Sequence, residues 1–159
     1  MAQGDDAGQA ARALRDAFAS WASGVTVVAV HTPGGMRGIT VSAFSPLSLD
    51  PQLVLICLAA DAPMLSYIRE QRRYTVNVLA ADQKRTAGLY SDRFTAVHAR
   101  FTDEAEAIID GALASFVCTL VSEHEAGDHR IIVGEIQRFC TAAEASPLLR
   151  FARAYRMLA

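Results

Sequence analysis

Residues able to do chemistry are few and scattered in this 159-residue chain. Cys57, Cys118 and Cys140 lie far apart, show no Cys-x-x-Cys spacing and sit in apolar, strand-like runs where a thiol is ordinarily inert. No Gly-x-Ser-x-Gly elbow presents a serine nucleophile. His124 and His129 stand five residues apart across a turn, without the helical spacing that holds a metal. Gly127-Asp128-His129 reads in two ways: an exposed imidazole beside a carboxylate that could donate to a carbonyl or stack on a ring, or an ordinary polar turn. His31 and His98 only end a strand and occupy a loop. The remaining candidate is residues 38–51, Gly-Ile-Thr-Val-Ser-Ala-Phe-Ser-Pro-Leu-Ser-Leu-Asp-Pro, where Thr40, Ser42, Ser45 and Ser48 bring hydroxyls among amides that a loop leaves unpaired. Such donors suit a phosphate or a polar heterocycle, and the same pattern also reads as a strand followed by a Ser/Pro turn.

No Gly-x-Gly-x-x-Gly opens a helix after a strand and no Gly-x-x-x-x-Gly-Lys is present, so a nucleotide would be held in some other way. The formal charge of −2 argues against a generic nucleic-acid binder, which needs a basic face. Fourteen of the fifteen basic residues are arginine, whose fork suits phosphate better than ammonium does. With 52% hydrophobic and 20% charged residues the chain fits a soluble globular class, and no run approaches the ~20 apolar residues of a membrane helix. An acidic N-terminus without a signal-type apolar stretch points to the cytoplasm.

The elements that must position these residues follow from periodicity. Leu14, Phe18 and Trp21 share helical spacing, so residues 7–22 form an amphipathic helix stopped near Gly24. Residues 25–31 and 36–44 are β-prone and joined across Pro33-Gly34-Gly35, which predicts a hairpin. Residues 53–59 are a nearly continuous apolar run, as in a strand covered on both faces. Helices are expected from Met64 and from Asp82, with a strand over 74–79 between them. Residues 90–102 read as a surface loop, residues 116–123 and 130–140 as a second hairpin, and the apolar tail from Pro147 as packed on the body. The length suits one domain, residues 1–159, with residues 1–17 a helical lead-in. Hairpins interrupted by short helices suggest a closed or nearly closed barrel, because closure removes sheet edges.

Taken in order, these pieces resemble the flavin reductase family, small split-barrel proteins that serve two-component monooxygenases. The match is carried by Phe18-Ala-Ser-Trp-Ala-Ser-Gly-Val-Thr-Val-Val, Gly38-Ile-Thr-Val-Ser-Ala-Phe with Ser48-Leu-Asp-Pro, Leu53-Val-Leu-Ile-Cys-Leu, Tyr74-Thr-Val-Asn-Val-Leu, Gly127-Asp-His with Val133-Gly-Glu, and Pro147-Leu. The resemblance implies a mainly β fold with short helices, a six-stranded antiparallel split β-barrel, and a homodimer. It implies FMN or FAD as flavin and NADH or NADPH as co-substrate. Thr40, Val41, Ser42 and Ala43 would line the flavin edge, with Ser48 near the phosphate end and Cys57, Leu58 and Ala59 continuing the pocket. His129 would lie by the nicotinamide, and Tyr155 would help cover the site. Two departures stand out. Where many relatives carry a Ser-x-Thr pair beside the phosphate this chain has Ala62-Pro63-Met64, which leaves phosphate binding to amides, Ser48 or an arginine. Leu89-Tyr90 or Arg93-Phe94 stands where relatives carry a Phe-Ala pair; Arg93-Phe94 is preferred, because arginine pairs bidentately with phosphate.

The expected reaction is hydride transfer from C4 of the nicotinamide to N5 of the flavin, for which the protein needs no nucleophile and must only stack the rings. Reduced flavin would then leave for a separate monooxygenase. Two rival readings are a split-barrel protein that holds flavin or haem without turnover, and an unrelated small barrel carrying an apolar ligand.

Overall fold

A computed structural model describes residues 3–91, 99–142 and 145–158. The described chain opens with a helix, α1 (Gln3–Phe18), and its main sheet is seven-stranded and antiparallel, with a three-stranded and a two-stranded sheet beside it. The strands of the main sheet are β1 (Thr26–Thr32), β2 (Gly35–Val41), β3 (Phe44–Leu49), β4 (Gln52–Ala59), β5 (Arg73–Val78), β6 (Ala114–Ala126) and β7 (His129–Thr141). The spatial order is β2-β1-β5-β6-β7-β4-β3. Two short helices, α2 (Met64–Gln71) and α3 (Lys84–Leu89), flank β5 in sequence.

The mainly β class with short helices is as expected, but the sheet has seven strands rather than six. The added strand is β3, cut from a stretch that reads as a Ser/Pro loop. Pro46 is tolerated there because β3 is an edge strand, paired only with β4, and the register shifts between Pro46 and Ser48. The two edges, β2 and β3, are joined by only Ser42 and Ala43. Among the described residues no ladder pairs β2 with β3, so this junction is where the barrel is split.

β4 is a correction of a different kind. Its apolar run is not covered on both faces: Val54, Ile56 and Leu58 are buried, while Leu53, Leu55, Cys57 and Ala59 on the other face are only half-buried. The inward residues join Val28, Val30, Tyr74, Val76 and Ile132 in the barrel core, which α2 plugs with Met64, Leu65 and Ile68. A second cluster, with Val25, Val27, Leu79, Tyr90 and Leu148, packs outside β1. The tail is docked as expected, Leu148 donating its amide to Leu79 O and accepting from Val25 N.

Gly38 belongs to that second cluster's rim. A Cβ there would lie 2.2 Å from Cε1 of the buried Tyr90 ring. Tyr90 in turn holds the site strand, its carbonyl accepting the Thr40 amide at 2.9 Å. Gly38→Ala is expected to destabilise the fold by about 1–3 kcal/mol through overpacking, lowering Tm by roughly 3–10 °C in a thermal melt. Adding Tyr90→Leu should recover part of that loss, and a Gly38→Ala melt identical to wild type would refute the contact.

Candidate active site

The junction between β2 and β3 breaks the backbone pairing at one end of the sheet. Ser42 and Ala43 lie between two ladders, and their N–H groups meet no acceptor among the described residues. Ala43 O is satisfied by Cys57 N at 2.9 Å, which ties the junction to β4. Just before it, Thr40 is clamped to α3, its Oγ1 donating to Ala87 O at 2.7 Å. A pair of adjacent amides with fixed direction and no protein partner is suited to acceptor atoms on a ligand.

Those amides open onto a cavity of about 260 Å³. From β2 and the junction it is lined by Ile39, Thr40, Val41, Ser42 and Ala43. Cys57, Leu58 and Ala59 come from β4, Ala62 and Ser91 from the following turns, and His129 from the start of β7. The antiparallel register explains the last contribution, since His129 stands directly opposite Ala59. Burial raises the Cys57 thiol, so it stays protonated and serves as wall rather than nucleophile.

His129 Nδ1 lies 2.7 Å from Asp128 Oδ1, with its side chain 48% exposed. An ionised carboxylate only accepts, so Nδ1 carries the proton and Nε2 is the free ring nitrogen. That hydrogen bond holds the Asp128 carboxyl below its usual range. The turn is thus an oriented imidazole at the cavity wall.

Eight residues expected at a ligand site therefore meet around one cavity: Thr40, Val41, Ser42, Ala43, Cys57, Leu58, Ala59 and His129. Two lie elsewhere. Ser48 is on β3, where its Oγ accepts the Asp50 amide at 3.2 Å, and it lines neither this cavity nor the larger one beside it. Tyr155 sits in the C-terminal hairpin under the Arg150 guanidinium, 5.1 Å from its ring centre. Arg93 and Phe94 lie outside the described residues. Ala62 and Met64 are buried, and the turn they occupy offers little to a phosphate, the Ala62 amide donating to Ala59 O and the Leu65 amide to Ala62 O.

A larger cavity of about 520 Å³ continues from the first, sharing Ser42, Ala43 and Cys57. Its outer wall carries Phe18 and Trp21 from the end of α1 and beyond, with Arg15, Arg150 and Arg153. None of these five was legible as a site residue; α1 read only as a packing element, and of the tail only Tyr155 was expected at the site.

A split antiparallel barrel with unpaired amides at its split and an oriented histidine beside them is an arrangement suited to a planar, polar ring. The family model described as "Flavin reductase like domain" matches residues 18–159, and the chain belongs to the flavin reductase family. It is 39% identical over 138 residues to the FMN reductase (NADH) SmoA of Agrobacterium fabrum, covering 82% of this chain and 77% of that one. It is 36% identical over 146 residues to the reductase component of 4-hydroxyphenylacetate 3-monooxygenase of Thermus thermophilus, covering 92% and 95%. The solved structure of the flavin reductase PheA2 superposes with a TM-score of 0.86 at 35% identity, over 93% of this chain and 97% of the other. Two other curated relatives are longer, and the chain spans 43% and 47% of their length.

Proposed function

We propose that the protein is an NAD(P)H:flavin oxidoreductase that reduces FMN or FAD and releases the reduced flavin to a separate monooxygenase. The observation that carries this is the convergence of the Ser42 and Ala43 amides with Cys57, Ala59 and His129 on one cavity. The residues present fit a flavin: two amide donors without an acceptor among the described residues for the polar edge of its ring, and the half-buried Ile39, Cys57 and Ala59 beside them.

When bound, the flavin and nicotinamide themselves supply the hydride chemistry. The chain's part is to position and polarise. The Ser42 and Ala43 amides would donate to ring acceptors and favour negative charge there, in the manner of an oxyanion hole. Thr40, clamped to Ala87, fixes the strand that carries them. His129, held by Asp128, would orient the second substrate through Nε2. No proton transfer by a side chain is required.

The names of the relatives support this reading, one an NADH-dependent FMN reductase and one a monooxygenase component. A homodimer is part of it. Leu47 and Leu49 on the uncovered edge strand β3, and Phe139 on β7, are exposed apolar side chains that a second copy would cover. So is a cytoplasmic setting, where Cys57, Cys118 and Cys140 would remain the free thiols they are here. Steady-state assays crossing both flavins with both nicotinamides test the activity: NADH or NADPH oxidation that requires added flavin is expected, and flavin binding without turnover would leave a storage protein. A monomer in sedimentation velocity at micromolar concentration would remove the dimer.

A further inference from the structure

We infer that Thr26, which touches no cavity, is a positioning residue: its buried hydroxyl, bonded to Val41 O, aims and polarises the Ser42 N–H at the junction. The inference rests on the flavin reductase reading and gives the two junction amides unequal parts. The local sequence supplies the first reason. The run Val25-Thr-Val-Val-Ala-Val carries one hydroxyl, that of Thr26. On the same face of β1, Val28 and Val30 belong to the barrel core, and Thr26 is only 2% exposed. Valine has nearly the same shape and would fill the position without a polar atom, whereas a buried hydroxyl costs free energy unless it is bonded. Thr26 Oγ1 donates to Val41 O at 2.7 Å, a buried bond between residues 15 apart in the chain.

The place of that bond is the second reason. Thr26 and Val41 are the last pair of the β1–β2 register, and the chain leaves the ladder at Ser42. A terminal rung has support on one side only, so a hydroxyl on its carbonyl secures it. Val41 C=O and Ser42 N–H belong to one peptide plane, and across this trans bond they point in opposite directions. Holding Val41 O toward β1 therefore holds Ser42 N–H away from it, on the side of the cavities that Ser42 lines. A carbonyl that accepts a hydrogen bond also polarises the N–H of its own amide, which strengthens that donor toward a ligand.

The neighbouring amide lacks this support. Ala43 N–H shares its peptide with Ser42 O, which accepts no bond among the described residues. The bond from Cys57 N to Ala43 O, 2.9 Å long, orients the next peptide and not this one. Other buried hydroxyls act elsewhere: Thr32 Oγ1 bonds Gly35 O within its hairpin, and Thr75 Oγ1 bonds Glu106 O. Neither Thr32 nor Thr75 lines a cavity at the junction. Ser42 is thus the anchored donor of the pair, and Thr26 is its anchor.

Two substitutions separate the hydroxyl from the shape: Thr26→Val removes it at nearly constant volume, and Thr26→Ser keeps it. In isotope-labelled, ligand-free protein, Thr26→Val is expected to move the Ser42 amide proton upfield, as a less polarised N–H does, and Thr26→Ser to leave it near the wild-type position. Fluorescence titrations with FMN and FAD should give dissociation constants at least about 5-fold higher for Thr26→Val and within about 2-fold of wild type for Thr26→Ser. Thr75→Val is the control, since it loses a hydroxyl bond of the same kind and should leave both the Ser42 resonance and flavin affinity unchanged whatever its Tm. If Thr26→Val does not fold, Thr26→Ala carries the same expectations. An unmoved Ser42 resonance overturns the inference whatever the affinity. So does equal loss of flavin affinity in Thr26→Val and Thr75→Val, which would reduce Thr26 to a contributor to stability. A resonance that moves while flavin affinity stays constant also overturns it, and flavin-dependent NADH oxidation then leaves the reductase reading intact. Wild-type protein that binds neither flavin overturns both.

Discussion

Cys57→Trp is expected to raise the flavin dissociation constant by at least about 100-fold, roughly 2.7 kcal/mol, with little change in Tm. Cys57 is the one β4 side chain that lines both cavities, and its half-buried position faces them rather than the barrel core. An indole there fills the space a ligand ring would occupy, and it does so without overpacking Val54, Ile56 or Leu58 on the inward face. The backbone link that sets the junction, Cys57 N to Ala43 O, survives the substitution. Cys57→Ser keeps the volume and should bind flavin within a few-fold of wild type. Fluorescence titration with FMN and FAD, beside a thermal melt, decides the matter. Flavin binding unchanged in a folded Cys57→Trp protein would place the ring somewhere other than these cavities.

The thiol chemistry of the same residue gives an independent reading. Burial raises Cys57, and pushes Cys118 up to about 12, so the thiolate fraction of both is small at neutral pH. Cys118 is sealed in the core, whereas Cys57 is reached through the cavities. Alkylation of Cys57 should therefore be slow, should quicken with rising pH, and should be suppressed by bound flavin.

Much of the fold was legible because its strands are β-branched and short, and the hairpins announce themselves through Pro33-Gly34 and Gly127. Two things were hidden for physical reasons. β3 contains Pro46 and two serines, Ser45 and Ser48, a loop-like composition that an edge strand with a register shift can tolerate but that no periodicity reveals. The outer face of β4 is apolar because it lines cavities, and apolar content alone does not separate a cavity wall from a core contact.

The site shows the same division. Ser42 and Ala43 were pointed to by the resemblance, because the local pattern runs a strand through them to Phe44 and only the tertiary pairing breaks the ladder there. Ser48 was pointed to in the same way. Its Oγ accepts the amide two residues on, a local turn bond, and it lines neither cavity. The arginine wall was out of reach altogether: Arg15 and the Arg150–Arg153 turn come from opposite ends of the chain, and only tertiary contacts such as Ala152 N to Ala19 O bring them together.

His129→Ala is expected to raise KM for NADH by about 10-fold while the flavin dissociation constant moves by less than about 2-fold, the size of one lost polar contact of roughly 1.4 kcal/mol. The separation follows from placement, because His129 lines the smaller cavity at its Ala59 end and does not reach the larger one. Asp128→Asn tests orientation instead of contact. An amide can still accept from Nδ1 but loses the charge that favours the bond, so KM for NADH should rise only about 3-fold. The pH dependence carries a definite sign. The folded Asp128 carboxyl is held below its unfolded value by the His129 hydrogen bond, so the interaction is fully present above the ordinary aspartate range and is lost only as pH falls through the lowered value. Titration of Asp128 should thus contribute no slope to KM for NADH between pH 5 and 8, a window about one unit or more above that range. If His129→Ala weakens flavin binding and leaves NADH untouched, the histidine belongs to the flavin and the two substrates exchange ends of the cavity.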